Sequence, residues 1–166
     1  MRGPLGVAAL LAALGALGVA AAAADTGGTD RPFKGTLVGS ATFPADPSCP
    51  IGLRTVSEGA GTASHLGLVR MTSSHCTPAT DLLTGGEMTL LAANGDELHM
   101  TYSGTSGPFP PVGGVITVYS RNVIVGGTGR FADATGEADF TALVTFAGFG
   151  VRVWPITWTW DGTISS

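Results

Sequence analysis

Hydrophobic and polar residues alternate along most of the chain after position 32. Between positions 33 and 43, one parity carries apolar side chains and glycine, and the other includes Lys34, Thr36, Ser40 and Thr42. A period of two is typical of a half-buried β-strand. Stretches of this kind predict eight strands, over Phe33–Phe43, Ile51–Ser57, Gly61–Thr72, Glu87–Ala93, Glu97–Thr105, Val115–Val125, Gly136–Ala147 and Val151–Ile164.

Turn signals separate these stretches. Asn94-Gly95 allows the positive φ angles of a tight hairpin and predicts that the flanking strands form one. The segment 106–114 contains Pro108, Pro110 and Pro111, which excludes a central strand and predicts a long loop. Eight strands with short connections predict an all-β protein, an antiparallel barrel of about eight strands, with a β-sandwich as the alternative.

A stripe of tryptophans marks the last predicted strand. Trp154, Ile156, Trp158 and Trp160 share one parity with Arg152. Such a stripe favours a packed sheet face over a ligand platform, because aromatic side chains bury large areas. Pro155 predicts an edge position or a bulge within this strand.

The first 24 residues are typical of a secretory signal peptide. Arg2 gives a short positive region, Leu5 to Val19 an apolar core, and Ala22 to Ala24 a small-residue cleavage site. A membrane anchor is disfavoured because the run consists mostly of Ala and Gly. We therefore expect a secreted protein with a cleaved signal at 1–24, a flexible segment at 25–31 and a single barrel domain at 32–166, with no membrane association after cleavage.

The expected export favours a disulfide between the two cysteines. Cys49 and Cys76 form an even set in an oxidising compartment, which predicts one disulfide. The alternative is a metal site built from these cysteines with His65, His75 and His99. That alternative is disfavoured because the tight spacings of zinc ligands do not occur in the sequence.

The number and sign of the charged residues limit the partners that the protein is expected to bind. Only 12% of the residues are charged, and the net charge is -4. A nucleic-acid partner would require a basic face, so no nucleic-acid binding is expected. The ordinary apolar content also argues against a disordered chain.

A glycine-rich segment follows the sixth predicted strand. Gly127, Gly129 and Ala132 satisfy the G-x-G-x-x-A pattern of a dinucleotide site. Such a site needs a helix directly afterwards, whereas Gly136 and a strand-like run follow here. The segment therefore predicts a structural glycine turn, formed by Gly126, Gly127, Gly129 and Gly136, and no cofactor site.

The same segment is similar to a turn found in a known family of proteins. The run from Gly126 to Gly136, GGTGRFADATG, resembles the turn of the dirigent and allene oxide cyclase superfamily of small β-barrels, and most closely its secreted bacterial members. The segments Phe33–Leu37 and Ala92–Asp96 are similar to features of that bacterial group. The resemblance implies an eight-stranded antiparallel barrel, and the homo-oligomers common among the plant members. No catalytic residue is carried over, because none of the polar positions inside the plant barrels matches this chain.

Chemical motifs are otherwise weak. The sequence lacks the G-x-S-x-G elbow of the common serine hydrolases. Asp133, Glu137 and Asp139 could suggest calcium, but a solvated face is the favoured interpretation, so no metal site is predicted. The candidates for ligand contacts lie on or near predicted strands: Arg70, Arg121, Arg152, His65 and His99. An inward arginine could bind a carboxylate or phenolate ligand.

Three functions are compatible with these observations. The leading hypothesis is a secreted barrel that binds a small apolar or aromatic molecule, or steers its reaction, without a catalytic centre. The second is an isomerase or cyclase similar to allene oxide cyclase, which a buried inward carboxylate or histidine beside an apolar cavity would favour. The third is an extracellular structural or interaction module, which a completely filled barrel would favour.

Overall fold

Eight extended segments follow one another along residues 29–166, the part of the chain that this computed structural model describes. Their bounds are β1 Arg31–Thr42, β2 Arg54–Ala63, β3 Gly67–Cys76, β4 Leu82–Ala92, β5 Glu97–Ser106, β6 Val115–Gly127, β7 Thr135–Thr145 and β8 Val153–Ser165. β1 begins one residue before the predicted start of the domain. The predicted signal peptide at 1–24, and most of the segment predicted to be flexible, lie outside the described residues. Among the described residues no helix is long and apolar enough to cross a membrane.

The sheet closes on itself. Each strand pairs antiparallel with its neighbours in the sequence, and β1 also pairs with β8, from Arg31 opposite Ile164 to Thr42 opposite Val153. Closure pairs both sides of every strand. The predicted all-β antiparallel barrel is therefore confirmed, and the β-sandwich alternative is wrong.

Alternation along the strands separates an inner from an outer face. On β8 the residues of the tryptophan stripe that lie within the strand are buried, whereas Thr157 and Thr159 are exposed. Pro155 is exposed and lies opposite Ser40 of β1 within the closed sheet. The apolar residues of each strand thus meet in the lumen because every second side chain points there.

Glycines leave room for the largest inward side chains. A Cβ atom at Gly35 of β1 would lie 1.9 Å from an indole carbon of Trp160. The Trp160 ring lies on the neighbouring strand, stacks on Phe140 with 4.7 Å between centroids, and contacts Phe33. Several glycines of the inner face are thus required by close approach of an aromatic ring.

The two ends of the barrel differ. The end formed by segments 64–66, 93–96 and 128–134, here called the base, is packed solid by side chains that are at most 1% exposed, including Phe33, Leu98, Phe131 and Ile164. The opposite end, here called the mouth, carries the segments 43–53, 77–81, 107–114 and 146–152.

The predicted glycine turn lies at the base. Gly126, Gly129 and Gly136 have positive φ angles of 117°, 55° and 138°, which L-residues with side chains seldom adopt. Between them a single 3₁₀ turn, Gly129–Phe131, buries Phe131 under the barrel. Within the described residues no α-helix follows the glycine pattern, and β7 begins at Thr135 instead.

The predicted boundaries of the second, third and fourth strands are wrong. The run predicted as a third strand, Gly61–Thr72, contains the end of β2, a turn in which His65 has a φ of +67°, and the beginning of β3. β2 starts at Arg54 rather than Ile51, and β4 starts at Leu82 rather than Glu87. Gly59 and Gly61, which the prediction left outside the second strand, lie within β2, paired with Gly39 and Leu37 of β1.

Candidate functional site

The mouth half of the lumen holds a cavity of about 150 Å³. Thr80 and Phe109 line it and are both exposed, so the cavity reaches the surface at the mouth. None of the described residues that line it is Asp, Glu, Lys or Arg. The barrel is therefore solid at the base and hollow at the mouth.

One wall of the cavity is polar. Thr55 and Ser57 of β2 lie opposite His75 and Ser73 of β3, and all four side chains are at most 9% exposed. The Thr55 hydroxyl lies 2.9 Å from that of Thr77. The register of two neighbouring strands thus places four hydrogen-bonding side chains side by side inside the lumen.

Tyr102 joins this wall from β5. Its phenolic oxygen lies 2.7 Å from His75 Nδ1, although β4 separates the two strands. The ring crosses β4 at Gly86, where a Cβ atom would lie 2.3 Å from a ring carbon of Tyr102. The glycine therefore permits the contact between His75 and Tyr102.

Burial keeps both members of this pair uncharged. Burial, with a smaller contribution from Arg54, lowers the pKa of His75 from 6.5 to about 4. Burial raises the pKa of Tyr102 from 10.0 to about 12, against a smaller opposing effect of a hydrogen bond from Ser73. At neutral pH the pair consists of a neutral imidazole and a neutral phenol.

The opposite wall is apolar. Phe140, Ala142 and Val144 of β7 line it, together with Trp154 and Trp158 of β8. β7 is four strands away from β3 in the closed order, so this wall faces the histidine across the lumen. The cavity is amphipathic, with hydrogen-bonding groups on one side and aromatic and aliphatic groups on the other.

An aromatic cluster lies where the cavity meets the surface. Phe109 of the proline-rich segment contacts Phe146, Phe149 and Trp154, with ring centroids 5.3, 5.2 and 6.2 Å apart. Phe149 is 79% exposed and Phe109 59% exposed. The rim of the cavity therefore presents apolar rings to the solvent.

A disulfide holds the polar side of the mouth. Cys49 and Cys76 are bonded, with their Cα atoms 5.2 Å apart, as the sequence predicted. Cys76 directly follows His75, so the disulfide attaches segment 43–53 to the end of the strand that carries the histidine. Arg54 Nε also contacts Asp46 Oδ2 at 2.6 Å, and this pair contributes the nearby charges outside the cavity.

None of the three predicted arginine candidates lines the cavity. Arg70 on β3 and Arg152 before β8 are exposed. Arg121 on β6 forms ion pairs with Glu137 and Asp139 of β7, and hydrogen bonds to these carboxylates raise its pKa. The structure does not bring any of the three arginines to the cavity.

The two predicted histidine candidates are also outside the lumen. His65 is exposed in the turn before β3, where its Nε2 lies 2.9 Å from the Pro32 carbonyl oxygen. His99 is partly exposed, and its Nε2 lies 2.8 Å from Glu97 Oε2. Within the described part of the chain, no group of three or more His, Cys, Asp or Glu side chains is placed to hold a metal ion.

Sequence reasoning missed the role of His75 and Tyr102. His75 entered only as one of several metal-ligand candidates, because the predicted third strand ended at Thr72. The alternation Val69, Met71, Ser73, His75 continues to the end of β3 and would have placed the histidine inside. The pairing with Tyr102 has no local signal, because it depends on strand order and on Gly86.

Comparisons with protein-family models, with curated proteins and with solved structures gave no match to this chain.

Proposed function

We propose that this small β-barrel protein is secreted and binds a small apolar or aromatic molecule in the mouth cavity, or steers the reaction of such a molecule, without a catalytic centre. The observation that carries the proposal is the amphipathic cavity, with His75 and Tyr102 facing Trp158 and its apolar neighbours. Concave, mostly apolar sites with a few convergent polar groups are the usual form of small-molecule pockets.

The volume limits the size of the ligand. Pockets for drug-sized molecules commonly measure about 300–1,000 Å³, and this cavity measures about 150 Å³. An apolar cavity of about 150 Å³ is sufficient to bind benzene. The ligand that fits the barrel is therefore of the size of a single aromatic ring, with any longer part extending past Phe109 to the surface.

Secretion is supported by the signal-like pattern at 1–24 and by the disulfide between Cys49 and Cys76. Structural disulfides persist in oxidising compartments. The segment Gly126–Gly136 resembles the dirigent and allene oxide cyclase superfamily, and most closely its secreted bacterial members, which also supports secretion. Expression in a secreting host tests secretion, because the protein recovered from the medium is expected to begin at Asp25 by intact mass.

Binding is tested by titration with benzyl alcohol, followed by tryptophan fluorescence, since Trp154 and Trp158 line the cavity. We expect a saturable change in the wild type. Ala142→Leu places a larger side chain in the cavity and should abolish the change, whereas Ala60→Leu, on the exposed outer face of β2, should preserve it.

Failure to bind any single-ring compound would contradict the binding proposal. A wild type that binds neither benzene, benzyl alcohol nor benzaldehyde at millimolar concentration would rule it out. Tight self-association of the same preparation would then favour the structural or interaction module, for which exposed Tyr119, Val123 and Leu143 on β6 and β7 offer an apolar surface.

A second candidate is an isomerase or cyclase. The specific observation in its favour is His75, which is buried and inward-facing beside an apolar cavity and in contact with a phenol. A neutral imidazole can accept a proton and return it elsewhere on the same molecule. Such a reaction needs positioning and one proton shuttle, but no charged catalytic group.

Analysis of the ligand after binding separates the two candidates. A ligand isolated from the secreted protein is added back in excess and recovered: unchanged material supports binding or steering, and an isomer of equal mass supports the isomerase. Conversion should then disappear in His75→Gln and persist in His99→Gln, which changes an outer-face histidine.

A further inference from the structure

The polar wall of the cavity has hydrogen-bonding capacity that the protein does not use. The Ser57 side chain is 6% exposed and makes no hydrogen bond to any described residue. His75 is 9% exposed, and only its Nδ1 is bonded, to Tyr102. Buried polar groups normally have partners, so these groups indicate a place for a hydrogen-bonding group of a ligand.

The pair can offer either a donor or an acceptor. When the phenol donates to Nδ1, the imidazole carries its proton on Nε2 and presents a donor. When Nδ1–H donates to the phenolic oxygen, Nε2 presents an acceptor and the phenol retains a hydroxyl proton for a further bond. The wall can therefore satisfy a hydroxyl group as well as a carbonyl group.

In the described part of the chain, the cavity has no permanently charged side chain to pair with an ion. The described residues that line it include no acid, lysine or arginine, so Arg70, Arg121 and Arg152 are not among them. Arg54, which follows the mouth segment 43–53, is already paired with Asp46. An ion moved from water into such a site loses its hydration without gaining a partner, which is costly.

Resting on the function proposed above, we propose that the cavity is selective for charge: it binds a single-ring molecule that is neutral and carries one hydroxyl or carbonyl group, and it rejects the carboxylate or ammonium of the same size. The polar group of the ligand lies at Ser57 and His75, and its ring lies against Trp158 and Phe140. A neutral ligand takes the place of the carboxylate or phenolate that the sequence suggested for an inward arginine.

The experiment compares isosteres at one pH. The wild-type protein is titrated at pH 7 with benzamide, benzyl alcohol, benzoate and benzylammonium, and binding is followed by the amide chemical shifts of the cavity strands. We expect saturable binding of the two neutral compounds and at least tenfold weaker binding of the two ions. Benzoate or benzylammonium binding as tightly as its neutral counterpart would overturn the charge selectivity while leaving the binding function intact. Failure of all four compounds, together with toluene, would overturn the binding function itself.

A second measurement tests the polar wall. Ser57→Ala and Tyr102→Phe should each weaken benzyl alcohol binding at least threefold and leave toluene binding unchanged, because toluene has no polar group to lose a partner. Tyr119→Phe is the matched control, since Tyr119 lies on the outer face and is 60% exposed. Equal effects of the variants on both ligands would show that the wall acts only through packing, and would overturn the assigned contacts.

Discussion

Acid titration of His75 gives the sharpest prediction about this barrel. Its folded-state pKa of about 4 lies well below the 6.5 of an unperturbed imidazole, chiefly because the ring is buried. The unfolded chain binds a proton as the pH falls through about 6.5, whereas the native protein does not until about pH 4. The free energy of unfolding must therefore decrease between these values.

The size of the effect follows from the same two values. At about 1.4 kcal/mol for each pKa unit, the native state should lose about 3 kcal/mol of stability between pH 7 and pH 4 through this one group. The contribution is fully present above pH 6.5, and it stops falling once the native histidine is also protonated. Of the neighbouring groups, Tyr102 remains a neutral phenol, and hydrogen bonds from Ser48 and Arg54 lower the pKa of Asp46 to about 2. The Asp46 carboxylate therefore remains charged in this window and contributes its own loss of stability only at lower pH.

Urea denaturation at a series of pH values measures the prediction. Wild type and His99→Gln should both show the decrease, since both retain His75. His75→Gln removes the titrating group and should flatten the curve between pH 6.5 and 4. A His75→Gln curve that runs parallel to that of the wild type would refute the reasoning, as would an NMR titration giving His75 a pKa near 6.5.

Two further predictions concern the architecture. Replacing Cys49 and Cys76 by alanine removes a cross-link between residues 27 positions apart, and should lower the free energy of unfolding by about 3.5 kcal/mol through unfolded-state entropy; wild type and variant with equal urea midpoints would contradict this. Gly35→Ala should cost about 1–3 kcal/mol, since the new methyl group would overlap the Trp160 indole. Gly107→Ala, whose Cβ would meet nothing closer than 3.3 Å, should cost much less in the same denaturation assay, and equal losses would argue against the overlap.

Period-two alternation was sufficient to predict the barrel. Each strand has one face in the lumen and one in solvent, so the hydrophobic effect imposes a pattern that can be read one strand at a time. The same pattern placed the tryptophans of β8 on one packed sheet face, and two cysteines left only one intramolecular pairing. The predicted boundaries were wrong where glycines lie inside β2. Glycine occurs in turns, but it also occurs within strands where a neighbouring strand approaches closely.

The site depended on relations that no local pattern contains. Alternation can place His75 and Tyr102 on an inner face, but it cannot tell that one ring crosses a glycine of β4 to meet the other. It also left open whether Arg70, Arg121 and Arg152 point inward.

The sequence by itself determined the class of fold, because alternation is a local pattern, and the cross-link, because the chain has only two cysteines. Only the tertiary structure decided that the base is filled, that the mouth is hollow and that its lining is uncharged. These properties arise from the register and closure of eight strands, which bring together side chains far apart in the chain and leave between them the volume that those side chains do not fill.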